Sequence, residues 1–67
     1  MKNTPLTHRE IEIVRAVAKG KILKEICDEL NITASTLNSH LKNIYLKTGT
    51  NNLRELILWA IDNGHRD

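Results

Sequence analysis

Four hydrogen-bonding side chains, Ser35, Asn38, Ser39 and Lys42, recur near the middle of this 67-residue chain. Between them Leu37, Leu41 and Ile44 repeat at i, i+4, i+7, the spacing of a helix with one buried stripe. With Leu37 as the centre of that stripe, Leu41, Ile44 and Thr48 fall within about 40° of it. Ser35, Asn38, Ser39, Lys42 and Leu46 fall on the far side, between about 100° and 200°. Lysine can donate to guanine O6 and N7, and asparagine can pair with adenine N6 and N7. Short hydroxyls reach either kind of base edge. An ordinary solvated helix face would also be polar, but such faces usually carry glutamate, and this one has no acid.

The same bias extends along the chain. The formal net charge is only +2, yet all eight acidic residues lie outside the stretch from Leu30 to Arg54. Glu10, Glu12, Glu25, Asp28 and Glu29 precede it, and Glu55, Asp62 and Asp67 follow. Within it Lys42, Lys47 and Arg54 have no acidic residue among them, and polyanions bind where positive potential is locally uncompensated. Other chemistries find no constellation. There is no paired-carboxylate, nucleophile–base or glycine-rich phosphate motif, so an enzyme is not expected. His8, His40 and His65 lack zinc-ligand spacing, and no metal or other cofactor is expected. Cys27 is alone, which excludes an intrachain disulfide and suits a small buried hydrophobe. Asn31-Ile32-Thr33 fits the glycosylation acceptor pattern but has no secretory leader to give it meaning. The longest apolar run, Leu56 to Ile61, is too short to span a bilayer. A cytoplasmic protein without membrane contact or small-molecule ligand is expected.

The elements that must position the polar face read as all-α. Helices are expected over about 8–19, 23–30, 34–48 and 53–63, in one domain over 6–64, with a lead over 1–5 and a tail over 65–67. Thr7 and Glu10 form a capping box with Leu6 at the staple position. Ile13, Val14, Val17 and Ala18 make the first apolar stripe, and Gly20 ends it. Ile22, Ile26, Cys27 and Leu30 give the second helix an apolar side. Asn31 suits a left-handed turn residue, Ile32 is an apolar plug, and Thr33 caps the third helix. A helix, a three-residue turn and a second helix describe the helix-turn-helix, whose second helix enters the major groove of duplex DNA. In the fourth helix Leu53, Leu56, Ile57 and Ala60 form the core stripe. Leu58, Trp59 and Ile61 lie outside it, with Asp62 beside them, more apolar surface than one small core covers. A two-fold contact between copies through these four residues is expected, and a second copy would also brace a domain this small.

Taken in order, several motifs carry a family resemblance. Leu6-Thr7-x-Arg9-Glu10-x-Glu12 is followed by Gly20 and Lys24-Glu25-Ile26. Then come Thr36-Leu37-x-x-His40-Leu41-x-Asn43-Ile44-Tyr45-x-Lys47, Gly49 and Glu55-Leu56. Together they resemble the LuxR-type (GerE-like) helix-turn-helix domain over essentially the whole chain. The resemblance implies a bacterial transcription regulator that binds DNA as a homodimer on an inverted repeat. Asn38, Ser39 and Lys42 then stand where that family contacts bases. Lys24, Thr33 and Thr36 stand at phosphate-contacting places, with Ser35, Lys47, Asn51 and Arg54 as further backbone candidates. RNA polymerase or another regulator are the further partners such a domain implies. His40 matches a family histidine and reads as a partly buried structural residue.

The departures from the pattern matter as well. Asn38 stands where the family usually has Lys or Arg, Ser39 where it has an apolar or small residue, and Leu23 where Asn or Ser is usual. Leu46 and Leu53 occupy places that often hold Arg. These changes lower the positive charge of the expected interface and shift its base preference. They also keep a second reading open, a protein-interaction module that binds a related regulator through the fourth helix with little DNA affinity. A sigma-factor-like promoter-recognition domain shares the architecture but usually carries more arginine. Either a stand-alone regulator or the output domain of a longer protein fits, with no receiver or ligand-binding domain in this chain.

Overall fold

In a computed structural model, which describes residues 5–64, the chain folds into four α-helices with no strand among the described residues. They are α1 (His8–Ala18), α2 (Leu23–Leu30), α3 (Ala34–Thr48) and α4 (Leu53–Asp62). The expected all-α helix-turn-helix architecture is therefore present. Two ends are one residue shorter than the periodicity suggests. Lys19 is the C-cap of α1 and Asn63 that of α4, because each donates its N–H back to a carbonyl of the last turn without continuing the helix. The lead and tail expected over 1–5 and 65–67 fall, Pro5 excepted, outside the described residues.

Local chemistry sets the boundaries. The Thr7 hydroxyl accepts the Glu10 N–H at 3.1 Å while the Glu10 carboxylate accepts the Thr7 N–H at 2.9 Å, so the capping box is closed in both directions. Helix α2 has only half of one. Glu25 accepts the Ile22 N–H at 3.0 Å, but isoleucine at the N-cap offers nothing in return. That position corrects the expected packing of α2, since Ile22 is 62% exposed and only Leu23, Ile26, Cys27 and Leu30 turn inward. Leu23, which departs from the family's usual Asn or Ser, is the first helical residue and packs against the core.

The connection from α2 to α3 is the three-residue turn Asn31-Ile32-Thr33. Asn31 adopts φ 56°, ψ 48°, the left-handed conformation that asparagine tolerates better than most residues. Ile32 then packs against the core and the Thr33 side chain accepts the Thr36 N–H at 3.1 Å. At the other end Gly49, at φ 75°, closes α3 where a side chain would be strained.

One apolar core joins all four helices. Ile13, Val14 and Val17 of α1 meet Ile26 of α2, Leu37, Leu41 and Ile44 of α3, and Leu56 and Ala60 of α4, all buried. Helix α1 packs most extensively against α4, and α2 against α3. The α1–α4 pair is thus the platform from which the α2–α3 unit presents its outer side.

Candidate nucleic-acid interface

Burying Leu37, Leu41 and Ile44 leaves the opposite side of α3 in solvent. Ser35, Thr36, Asn38, Ser39 and Lys42 are all exposed there. Ser35, Ser39, Lys42 and Leu46 follow one another at i, i+4, i+7, i+11 and so form a straight outward ridge, with Asn38 beside it. Helix α3 begins at the tight turn, so its first amides and the Thr33 and Thr36 hydroxyls gather at one end of the ridge. The Thr33 hydroxyl donates to that of Thr36 at 3.0 Å. Unpaired amides at a helix start attract anionic oxygens.

Lys24 is exposed in the first turn of α2, and Asn51 and Arg54 are exposed at the start of α4. The loop carrying Asn51 is fixed from both sides. Glu55 accepts the Asn51 N–H at 2.8 Å, and the Asn52 side chain accepts the Glu55 N–H at 2.9 Å. Among the described residues no ion pair engages Lys24, Lys42 or Arg54. By contrast Lys21 is held by Glu29 at 2.6 Å. The cations around the α2–α3 unit are therefore of two kinds, neutralised and available.

Lys47 belongs to the first kind. Its ammonium lies 2.7 Å from the Glu10 carboxylate and donates to the Pro5 carbonyl at 3.5 Å, tying the last turn of α3 to the start of α1. Burial pushes the Glu10 carboxyl up, but the bonds from Lys47 and Thr7 and the Lys47 charge outweigh it, and its pKa lies below the ordinary value of 4.5. Sequence spacing alone does not reveal this pairing, although one signal points toward it. Lys47 lies at about 280° from Leu37, on the flank of the buried stripe and not among the outward residues.

Beside the second half of α3 runs a shallow groove lined by Lys42, Tyr45, Leu46, Gly49, Thr50 and Asn51. Tyr45 is half-buried beside that groove, and burial pushes its phenol pKa up from the ordinary value. Leu46, at 76% exposure, is the most exposed of the large hydrophobic residues described. The outer side of α4 carries Leu58 at 57% and Ile61 at 46%, next to exposed Asp62. Trp59 is half-buried and packs against the core of its own chain. His40 is half-buried at the edge of the packed face.

No group of three or more metal-ligating side chains gathers among the described residues, and no helix there is long and apolar enough to cross a membrane.

The sequence has counterparts among known proteins. The chain is 40% identical over 60 residues to the transcriptional regulatory protein MctR of Rhizobium johnstonii, covering 90% of this chain and 28% of that protein. It is 38% identical over 56 residues to the fimbriae Z protein of Salmonella typhimurium, covering 84% of this chain and 27% of that one. It is 36% identical over 61 residues to the transcriptional regulatory protein YdfI of Bacillus subtilis, covering 91% and 29%. The chain thus spans under a third of the length of these relatives. No solved structure matches it. The model of the bacterial regulatory proteins of the luxR family matches residues 4–60, with the three-residue turn and the polar face of α3 inside the match, and the chain belongs to that family.

Proposed function

We propose that this chain binds duplex DNA in a sequence-dependent way and regulates transcription, with α3 in the major groove. One observation carries the reading. The outward side of α3 is polar, acid-free and exposed, and it follows a tight turn that gathers hydroxyls and helix-start amides at one end. Asn38, Ser39 and Lys42 would contact base edges, where lysine favours guanine and asparagine favours adenine. Lys24, Thr33, Ser35, Thr36, Asn51 and Arg54 would contact the phosphate backbone and so fix register without reading sequence. Lys47, the further candidate, would contact phosphate only in competition with its pair to Glu10.

Two copies would bind an inverted repeat, with half-sites about one helical turn apart. The support for a dimer is the exposed pair Leu58 and Ile61 on α4, flanked by Asp62 and by the edge of Trp59. The same apolar pair favours a second reading, in which α4 docks on a related regulator and DNA affinity is slight.

Selection from random duplex DNA at two salt concentrations tests these readings. A palindromic consensus, with affinity falling as log salt rises with a slope of several units, is the expected result. Binding that fails even at low salt, together with tight association with another regulator, would leave only the second reading.

A further inference from the structure

Leu46 is the odd residue on the recognition face. It stands at about 180° from the centre of the buried stripe, in line with Ser35, Ser39 and Lys42, and one turn beyond Lys42. It is 76% exposed, more than Leu58 or Ile61, so the described residues of its own chain leave it largely uncovered. An isobutyl group there can neither donate nor accept a hydrogen bond, and it cannot attract phosphate. The one feature of a base edge in the major groove that rewards an apolar contact is the C5-methyl group of thymine. The other outward residues of α3, Ser35, Asn38, Ser39 and Lys42, are all polar, which leaves Leu46 as the apolar member of that face.

We infer that Leu46 is a specificity-determining residue that selects thymine by packing on its C5-methyl group, next to the base pair contacted by Lys42. The inference rests on the proposed docking of α3 in the major groove. It extends the reading face by one turn and gives it an apolar element, whose contribution does not weaken with salt as phosphate contacts do.

Deoxyuridine differs from thymidine only in lacking that methyl, which makes the test direct. The full chain and the variant Leu46→Ala are titrated against the selected site, with each thymine replaced in turn by deoxyuridine. For the unaltered chain, one thymine in each half-site should be methyl-sensitive, with binding weakened about three- to fivefold per methyl removed. Leu46→Ala should bind the thymine site less tightly by a similar factor and should be indifferent to that methyl. Leu46 is exposed on a helix, and alanine favours helix, so the variant keeps its fold. Should no thymine be methyl-sensitive, or should Leu46→Ala keep the full sensitivity at every thymine, the inference is overturned. Those results differ from failure of the docking itself, in which neither protein binds the duplex or Lys42→Ala leaves base preference unchanged.

Discussion

Glu10 shows how much one residue can join in a chain this small. Its carboxylate closes the cap of α1 through Thr7 and holds the last turn of α3 through Lys47. Replacing it with glutamine keeps the shape but removes the charge that both donors address. Glu10→Gln should lower unfolding stability by about 1–3 kcal/mol at neutral pH, as measured by urea denaturation. The pH dependence follows from the lowered pKa. A carboxylate favoured in the folded state stabilises fully above its unfolded pKa, and that contribution disappears as pH falls through the folded value. The gap between the two proteins should therefore be constant at neutral pH and narrow below about 4.5; an unchanged gap at low pH would remove the charge from this account. The capping half of the role is legible in the sequence, because a threonine and a glutamate three apart are a local signal. The Lys47 half is not, since the partners are 37 residues apart and only the folded core brings them together.

Among the elements, α3 is readable in detail from its residues and α4 less so. Three apolar residues at helical spacing fix one buried stripe, and the outward residues of α3 follow by subtraction. The same arithmetic on α4 leaves Leu58, Trp59 and Ile61 all off the stripe. Periodicity says nothing of how far the neighbouring elements reach around a helix, and the core half-covers Trp59 while leaving Leu58 and Ile61 exposed. Ile22 fails for a related reason. It stands in step with the apolar side of α2 but is the N-cap, with extended backbone, so helical spacing does not apply to it. The proposed pairing through α4 gives a sharp expectation at this scale. Leu58→Glu would bury an unpaired carboxylate in a two-fold contact, at a cost upwards of ~2 kcal/mol. Sedimentation on and off the DNA site should show association weakened about thirtyfold or more, while helix content is unchanged. If the variant associates as well as the parent, that side of α4 is not the contact.

The whole molecule divides its labour by charge as well as by packing. The α1–α4 platform carries most of the acidic residues together with α2, while the stretch through the turn and α3 carries none. A total of +2 therefore understates the field a polyanion would meet, and pairing of Lys21 and Lys47 leaves Lys24, Lys42 and Arg54 as the unpaired cations of α2, α3 and α4. These available cations are of two kinds in the proposed complex. Lys42 points from the middle of the reading face, whereas Lys24 stands at the start of α2. The most direct measurement compares Lys42→Ala and Lys24→Ala with the parent chain, over a panel of duplexes carrying every single-base change of the selected site. Lys42→Ala should flatten the preference at one position in each half-site, reducing discrimination there by about 1–3 kcal/mol. Lys24→Ala should weaken all duplexes alike and lower the salt slope by about one unit for each phosphate no longer neutralised. Uniform weakening by both variants, with no position losing its preference, would contradict the assignment of α3 as the helix that reads the bases.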